Sequence, residues 1–266
     1  LRKKIPDFFE ECILNSTMKD FDRLGKHLLI HLDNKWTWMI HLGMSGRIRL
    51  LEHNLPSQLS SNNIIDSSFE GKELEKHDHV IVELSDKSLF VFNDPRRFGS
   101  MDVSETALLN KHPTLSNLGP DPTSLEWCAS LWSKYLVNRR IILKKALLDQ
   151  RIVAGIGNIY ACEALHLSSL SPNRTSQSLV RKNGEPTSRL ERLTNAITSI
   201  LNRAILVGGS TLKDFYSLDG SEGLFPMEFR VYGREGSNCL KNDCNGVIMR
   251  DIHAGRSTFW CPRCQK

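Results

Sequence analysis

Four cysteines crowd into the last 28 residues: Cys239 and Cys244 form one close pair, Cys261 and Cys264 another, with 16 residues between the pairs. No other feature restricts the fold so much. Two such pairs can place four sulfurs on one tetrahedral ion, about 2.3 Å from it. Between them, GVIMRDIHAGRSTFW alternates enough for two strands, with a turn near His253 to Gly255. This is the pattern of a zinc ribbon, although the x4 spacing of the first pair is looser than the commonest x2. Four thiolates close the coordination sphere, so one structural Zn²⁺ is expected, supplying folding energy that so short a hairpin lacks. His253 is not needed as a ligand. Cys12, Cys128 and Cys162 bring the count to seven, and an odd number fits a reducing compartment better than a disulfide framework.

The expected turn carries Gly255-Arg256-Ser257-Thr258. A fixed guanidinium beside two hydroxyls can clamp a phosphate; the other reading is an exposed loop arginine. The chain has 266 residues and a formal net charge of +5, which permits a polyanionic partner without requiring one. The 40% apolar content allows real cores, and the length suits one large domain or two to three smaller ones. No apolar run reaches the roughly 18 residues of a membrane span, and no signal-peptide pattern opens the chain. A membrane partner is therefore not expected. Leu1 stands where a methionine would, and LRKKIPDFFEE reads as the middle of a sequence, so a stretch upstream is expected.

Strand-like segments fill residues 26 to about 104: KHLLIHL, WTWMIHLG, RIRLLE, HVIVELS and SLFVFND. Their spacing predicts an antiparallel sandwich or barrel. The polar stretch from Asn54 to Ser68 reads as a long mobile loop. HPTLSNLGPDP, ending at Pro122, reads as a linker. Helical periodicity follows over Leu125–Leu136, Ile141–Leu148 and, most strongly, Arg189–Leu206.

Three further motifs carry possible chemistry. In NDPRRFG, Arg96 can contact a phosphate or base edge and Phe98 can wedge between bases; alone, it is also a plain charged turn. In HLGMSG, Met44 either projects between two glycines to fill a space left by a base or is buried at a strand end. VAGIGNIYACEALH reads as helix, glycine-rich turn, helix, with the turn's amides and Asn158 meeting a phosphate at a helix N-terminus; the alternative is a simple helix hairpin. His77 and His79 cluster with acids in ELEKHDHV, but no third metal ligand is evident. His77 reads better as a phosphate or base donor.

Taken in order, HLGMSG, EKHDH, NDPRRFG, LLDQ, GIGNIYACEAL, GGSTL, VYGREG and the terminal GRSTFWC-x2-CQ resemble the formamidopyrimidine-DNA glycosylases, relatives of the endonuclease VIII enzymes, over essentially the whole chain. The resemblance implies an α+β multidomain protein. A β-sandwich over 1–112, incomplete at its start, would precede a helix–two-turn–helix domain over 113–228 and a zinc finger over 229–266. It implies a monomeric, cytoplasmic bacterial repair enzyme that flips a damaged nucleotide out of double-stranded DNA. It further implies removal of oxidised purines such as 8-oxoguanine, followed by β,δ-elimination at the abasic site.

Carried over by the resemblance, Lys26 is the sandwich-domain lysine of β-elimination and Arg256 the zinc-finger arginine of δ-elimination. Met44, Arg96 and Phe98 fill the void left by the flipped base. His77, Arg96 and Arg140 contact DNA, and Asn158 holds a phosphate. Gly220, Gly223 and Phe225 belong to the loop that covers the extruded purine. Cys239, Cys244, Cys261 and Cys264 ligate zinc. The family's attacking N-terminal proline and the glutamate after it have no match: Pro6 is not a terminal amine, and Glu10 lies in a different context. The chain as written is expected to recognise DNA without the attacking atom. A truncated, non-catalytic binder of damaged DNA and a pyrimidine-lesion glycosylase are the alternatives.

Overall fold

A computed structural model describes residues 1–51, 74–209 and 224–266. After a short helix α1 (Phe9–Ile13), seven strands follow: β1 (Met18–Leu24), β2 (His27–Leu32), β3 (Trp36–His41), β4 (Arg47–Leu51), β5 (Asp78–Glu83), β6 (Leu89–Asn93) and β7 (Ser100–Glu105). They make a four-stranded sheet in the order β1-β2-β3-β7 and a three-stranded sheet in the order β4-β6-β5, all neighbours antiparallel.

Alternation along the strands builds the core between the sheets. Ile30, Trp38, Ile40, Phe90, Phe92, Met101 and Val103 meet there, closed at one side by Phe9, Cys12 and Ile13 of α1. The second face of the larger sheet is also covered, because Leu29 and Met39 pack under Leu115. That double burial explains why WTWMIH reads as one apolar run. The segment expected to be a linker is therefore packed. Gly119 N–H donates to the Gln150 carbonyl at 2.8 Å and Ala154 N–H to that of Pro120 at 3.0 Å.

Two elements of this region escaped the sequence reading for different reasons. β1 (MKDFDRL) is an edge strand exposed almost throughout, so no apolar alternation marks it. β7 follows directly on the NDPRRFG turn and is half polar. The expected loop from Asn54 to Ser68 lies outside the described residues.

The helices then follow: α2 (Ala129–Leu136), α3 (Leu143–Leu148), α4 (Asn158–Leu167) and α5 (Ser188–Leu206). α2 starts four residues later than its periodicity suggests, since Cys128 takes the N-cap position and accepts the Leu131 N–H at 3.4 Å. α5 starts where Thr187 accepts from Leu190 N–H, and it buries Leu190, Leu193, Ile197 and Ile200 on one face. α4 is buried nearly all round, from Ala161 to His166. It lies between the helical core and the terminal hairpin of β8 (Met249–His253) and β9 (Arg256–Trp260). Among the described residues, no helix is long and apolar enough to cross a membrane.

Candidate DNA-lesion site and metal centre

Two tight hairpins from opposite ends of the sequence converge on the start of α4. The first joins β1 to β2. Leu24 pairs with His27, leaving a two-residue turn of Gly25 and Lys26. Gly25 has φ +60, the left-handed conformation that such turns require. Asp121 fixes this turn: its carboxylate accepts the Gly25 N–H at 2.8 Å and the Arg23 guanidinium at 2.9 and 3.0 Å. Burial opposes the charge on Asp121, but Arg23 and the amides of Thr123 and Gly25 hold its pKa below the ordinary value.

Lys26 then points toward α4, where a Cβ added to Gly157 would lie 3.8 Å from its Nζ. Lys26 remains solvent-accessible, while its amine is partly desolvated beside Gly157. That partial desolvation, with Arg256 adding like-charge repulsion, pushes its pKa down to about 8.

The second hairpin joins β8 to β9. His253 pairs with Arg256 across Ala254 and Gly255, both at positive φ, which gives a primed turn. Arg256 is exposed and close enough to Lys26 to repel its charge. Asn158 locks the hairpin to α4 by donating Nδ2–H to the Ser257 carbonyl at 2.9 Å, while its Oδ1 is buried without a partner. One of the two side-chain amide hydrogens of Asn158 is thus engaged by the hairpin. The backbone N–H groups of the first turn of α4 have no intrahelical acceptor. Beneath them the fully buried Lys144 donates to the Asn158 carbonyl at 3.1 Å and to Cys162 Sγ at 2.9 Å. Burial lowers its pKa.

A second group of candidates lies on the sandwich. Met44 and Phe98 are large apolar side chains left 39% and 44% exposed, and the Arg96 guanidinium sits 5.1 Å from the Phe98 ring centre. The two loops interlock. Any Cβ at Gly43 would lie 2.6 Å from the Phe98 carbonyl carbon. The buried Asp94 accepts Ser45 Oγ–H at 2.6 Å and Gly99 N–H at 2.7 Å. His79 Nε2 lies 2.9 Å from the Asp94 carbonyl oxygen, and His77 sits just before β5 at φ +93.

The remaining candidates are not all brought together. Arg140 is exposed on the loop between α2 and α3. Phe225, expected in the loop over the extruded purine, is instead a core residue. It is buried with its ring 5.5 Å from Tyr160 and 5.7 Å from Phe229, because a phenyl group gains more by packing than by facing water. Gly220 and Gly223 lie outside the described residues.

The four C-terminal cysteines meet the geometric test for a tetrahedral metal site. The four Sγ atoms of Cys239, Cys244, Cys261 and Cys264 lie within 4.8 Å of one another. Cys239 and Cys264 are 3.8 Å apart, Cys244 and Cys261 3.7 Å. A tetrahedron with arms of about 2.3 Å has edges of about 3.8 Å, while a disulfide needs about 2.05 Å. Burial raises the pKa of the Cys239 and Cys264 thiols, so four neighbouring thiolates need a cation to hold them. Among the described residues no other such cluster occurs, and His77 and His79 find no third ligand.

Sequence reading missed the residues that position these groups. Asp94 and Asp121 were visible only as turn formers beside proline. ILKKALL gives no sign that Lys144 is buried while Lys145 is exposed. Glu163 accepts three successive backbone N–H groups, from Arg230, Val231 and Tyr232, at 3.0, 3.0 and 2.8 Å. Such contacts join distant segments, so no local pattern records them.

A two-sheet sandwich, a helical region and a hairpin beside four clustered cysteines thus meet at one cationic site. Residues 1–101 match the formamidopyrimidine-DNA glycosylase N-terminal domain, and residues 118–216 match the formamidopyrimidine-DNA glycosylase H2TH domain. The formamidopyrimidine-DNA glycosylase of Chelativorans sp. (strain BNC1) is 42% identical over 270 residues, covering 100% of this chain and 89% of that one. That of Bradyrhizobium sp. (strain ORS 278) is 41% identical over 264 residues, 98% and 87% of the two chains. The Lactococcus lactis Fpg bound to DNA with an abasic site superposes with a TM-score of 0.79 at 30% identity, covering 97% of this chain and 86% of that one. The same enzyme bound to DNA with an oxidised pyrimidine gives 0.77 at 30% identity and the same coverage. The chain belongs to the formamidopyrimidine-DNA glycosylase family.

Proposed function

We propose that this protein excises oxidised purines, 8-oxoguanine and formamidopyrimidines, from duplex DNA and cuts the resulting abasic strand by β,δ-elimination. The observation that carries this reading is the convergence of Lys26 and Arg256, 230 residues apart, at the N-terminus of α4. An amine with a pKa near 8 can exchange a proton at working pH. Arg256 and the first-turn amides of α4 offer a phosphate a bidentate cation and a dipole. Met44, Arg96 and Phe98 offer what a flipped nucleotide leaves behind: apolar bulk for the gap and a guanidinium for the opposite base.

The reading divides the chain into a sandwich domain over 1–112, a helix–two-turn–helix domain over 113–228 and a finger over 229–266. The four cysteines hold one structural Zn²⁺, and the protein works as a cytoplasmic monomer on damaged DNA. His77, Arg140 and the segment with Gly220 and Gly223 complete the DNA contacts. An oxidised pyrimidine is the second substrate class, favoured by the 30% identical L. lactis enzyme solved with such DNA.

Borohydride trapping on duplex DNA carrying 8-oxoguanine, run beside a gel shift on the same duplex, tests the reading. A shift of the lesion-bearing duplex is expected, and a trapped adduct would mark the attacking amine. An adduct with the 266 residues alone would assign attack to the Leu1 amine or to Lys26. Absence of both a shift and an adduct would refute the proposal, and a panel with an oxidised pyrimidine ranks the two substrate classes.

A further inference from the structure

We propose that His166, on α4, donates its Nε2–H to the Cys239 thiolate, so that a side chain of the helical region orients and stabilises one sulfur of the metal centre. The inference rests on the reading of the four cysteines as a zinc site. His166 Nε2 lies 3.2 Å from Cys239 Sγ, and the imidazole is only 1% exposed. The direction of the bond follows from chemistry. A metal-bound cysteine is a thiolate and has no proton to give. The imidazole is therefore the donor, and its proton must sit on Nε2. Nδ1 is then a bare acceptor, and it is the His166 atom found buried without a partner.

The placement of His166 also shows what the bond is for. Asn158, Cys162 and His166 are spaced four apart and so share one face of α4. Asn158 holds the Ser257 carbonyl next to Arg256. Cys162 packs with Val231, Ile248 and Cys261 inside the hairpin unit. His166 completes the row at the metal itself. One helical face thus reads out both ends of the finger, the ion and the turn that carries Arg256. A ring buried at this apolar seam would cost less as phenylalanine unless its N–H had an acceptor. An N–H to a thiolate withdraws charge from sulfur, holds it against protonation and fixes its orientation, the usual work of a partner behind a metal ligand.

His166→Phe in the full 266-residue chain keeps a ring and removes the donor. With zinc loaded, the variant is expected to bind one ion as the wild type does but to release it to a chromophoric chelator about 10-fold faster or more. With cobalt in place of zinc, its thiolate-to-metal charge-transfer band is expected to shift. Should the variant not fold, nitrogen NMR of the wild-type imidazole decides instead. A protonated Nε2, coupled to the metal in cadmium-substituted protein, supports the bond, and a proton on Nδ1 overturns it. A folded variant with wild-type release and an unchanged band overturns this inference alone. A wild-type chain that takes up no metal overturns the zinc assignment, and this inference with it.

Discussion

The turn that carries Lys26 and the turn that carries Arg256 are two solutions to one problem. Each is a two-residue hairpin connection aimed at the N-terminus of α4. The first rests on a sandwich whose core includes the fully buried Ile30, Trp38, Ile40 and Phe92, each contributing roughly 1.5–3 kcal/mol by leaving water. The second rests on β8 and β9 alone, strands of five residues each, and the core beneath them is small: Val231, Ile248 and the cysteines around them. A two-stranded ribbon of this size is not stable by itself in water. What a sheet supplies at one end of the chain, four thiolates and the grip of α4 supply at the other. If the four cysteines hold the proposed ion, a rigid cation is built from apolar area at one end and from metal bonds at the other, and the two fail under different conditions.

The largest effect should come from removing the second support. Cys261→Ser is expected to lose the ion, melt β8 and β9 and weaken duplex-DNA binding by about 100-fold or more, while the sandwich unfolds at its usual urea concentration. Metal analysis, a gel shift and a urea melt check this. Full DNA binding by the metal-free protein would break the contrast between the hairpins.

Arg256→Ala leaves the support and deletes the cation. Binding should fall about 10-fold across DNA sequences, and the slope of log affinity against log salt should flatten by about one unit. An unchanged slope removes Arg256 from the phosphate site. Phe98→Ala is expected to lower lesion discrimination several-fold while affinity for undamaged duplex stays near wild type. Equal losses on both would recast it as a packing residue.

The smallest effect separates the hairpins by pH. Burial, with His41 next, pushes the pKa of His27 from the ordinary 6.5 down to about 4. The folded sandwich therefore keeps His27 neutral where the unfolded chain protonates it. Its contribution is full above pH 6.5 and is lost as the pH falls toward 4. His27→Asn should flatten that part of the urea stability profile. Zinc release, assayed separately, follows thiolate protonation in the finger and should not change in this variant.

The sequence determined much of this on local grounds. Short β-branched and aromatic runs marked β2, β3 and β6, three-and-four spacing marked α5, and the cysteine spacing marked the hairpin with its turn near His253 to Gly255. These features follow from residues near one another in the chain, so a linear pattern records them. Tertiary structure decided the rest. Only folding set Lys26 beside Arg256 and lowered its pKa, since the shift comes from burial and a charge 230 residues away. Only folding buried Lys144 and left Lys145 in water, committed Asn158 to the Ser257 carbonyl and sent Phe225 into the core. A side chain's charge, partner and exposure depend on what surrounds it in space, and space is filled by segments that the local sequence cannot name.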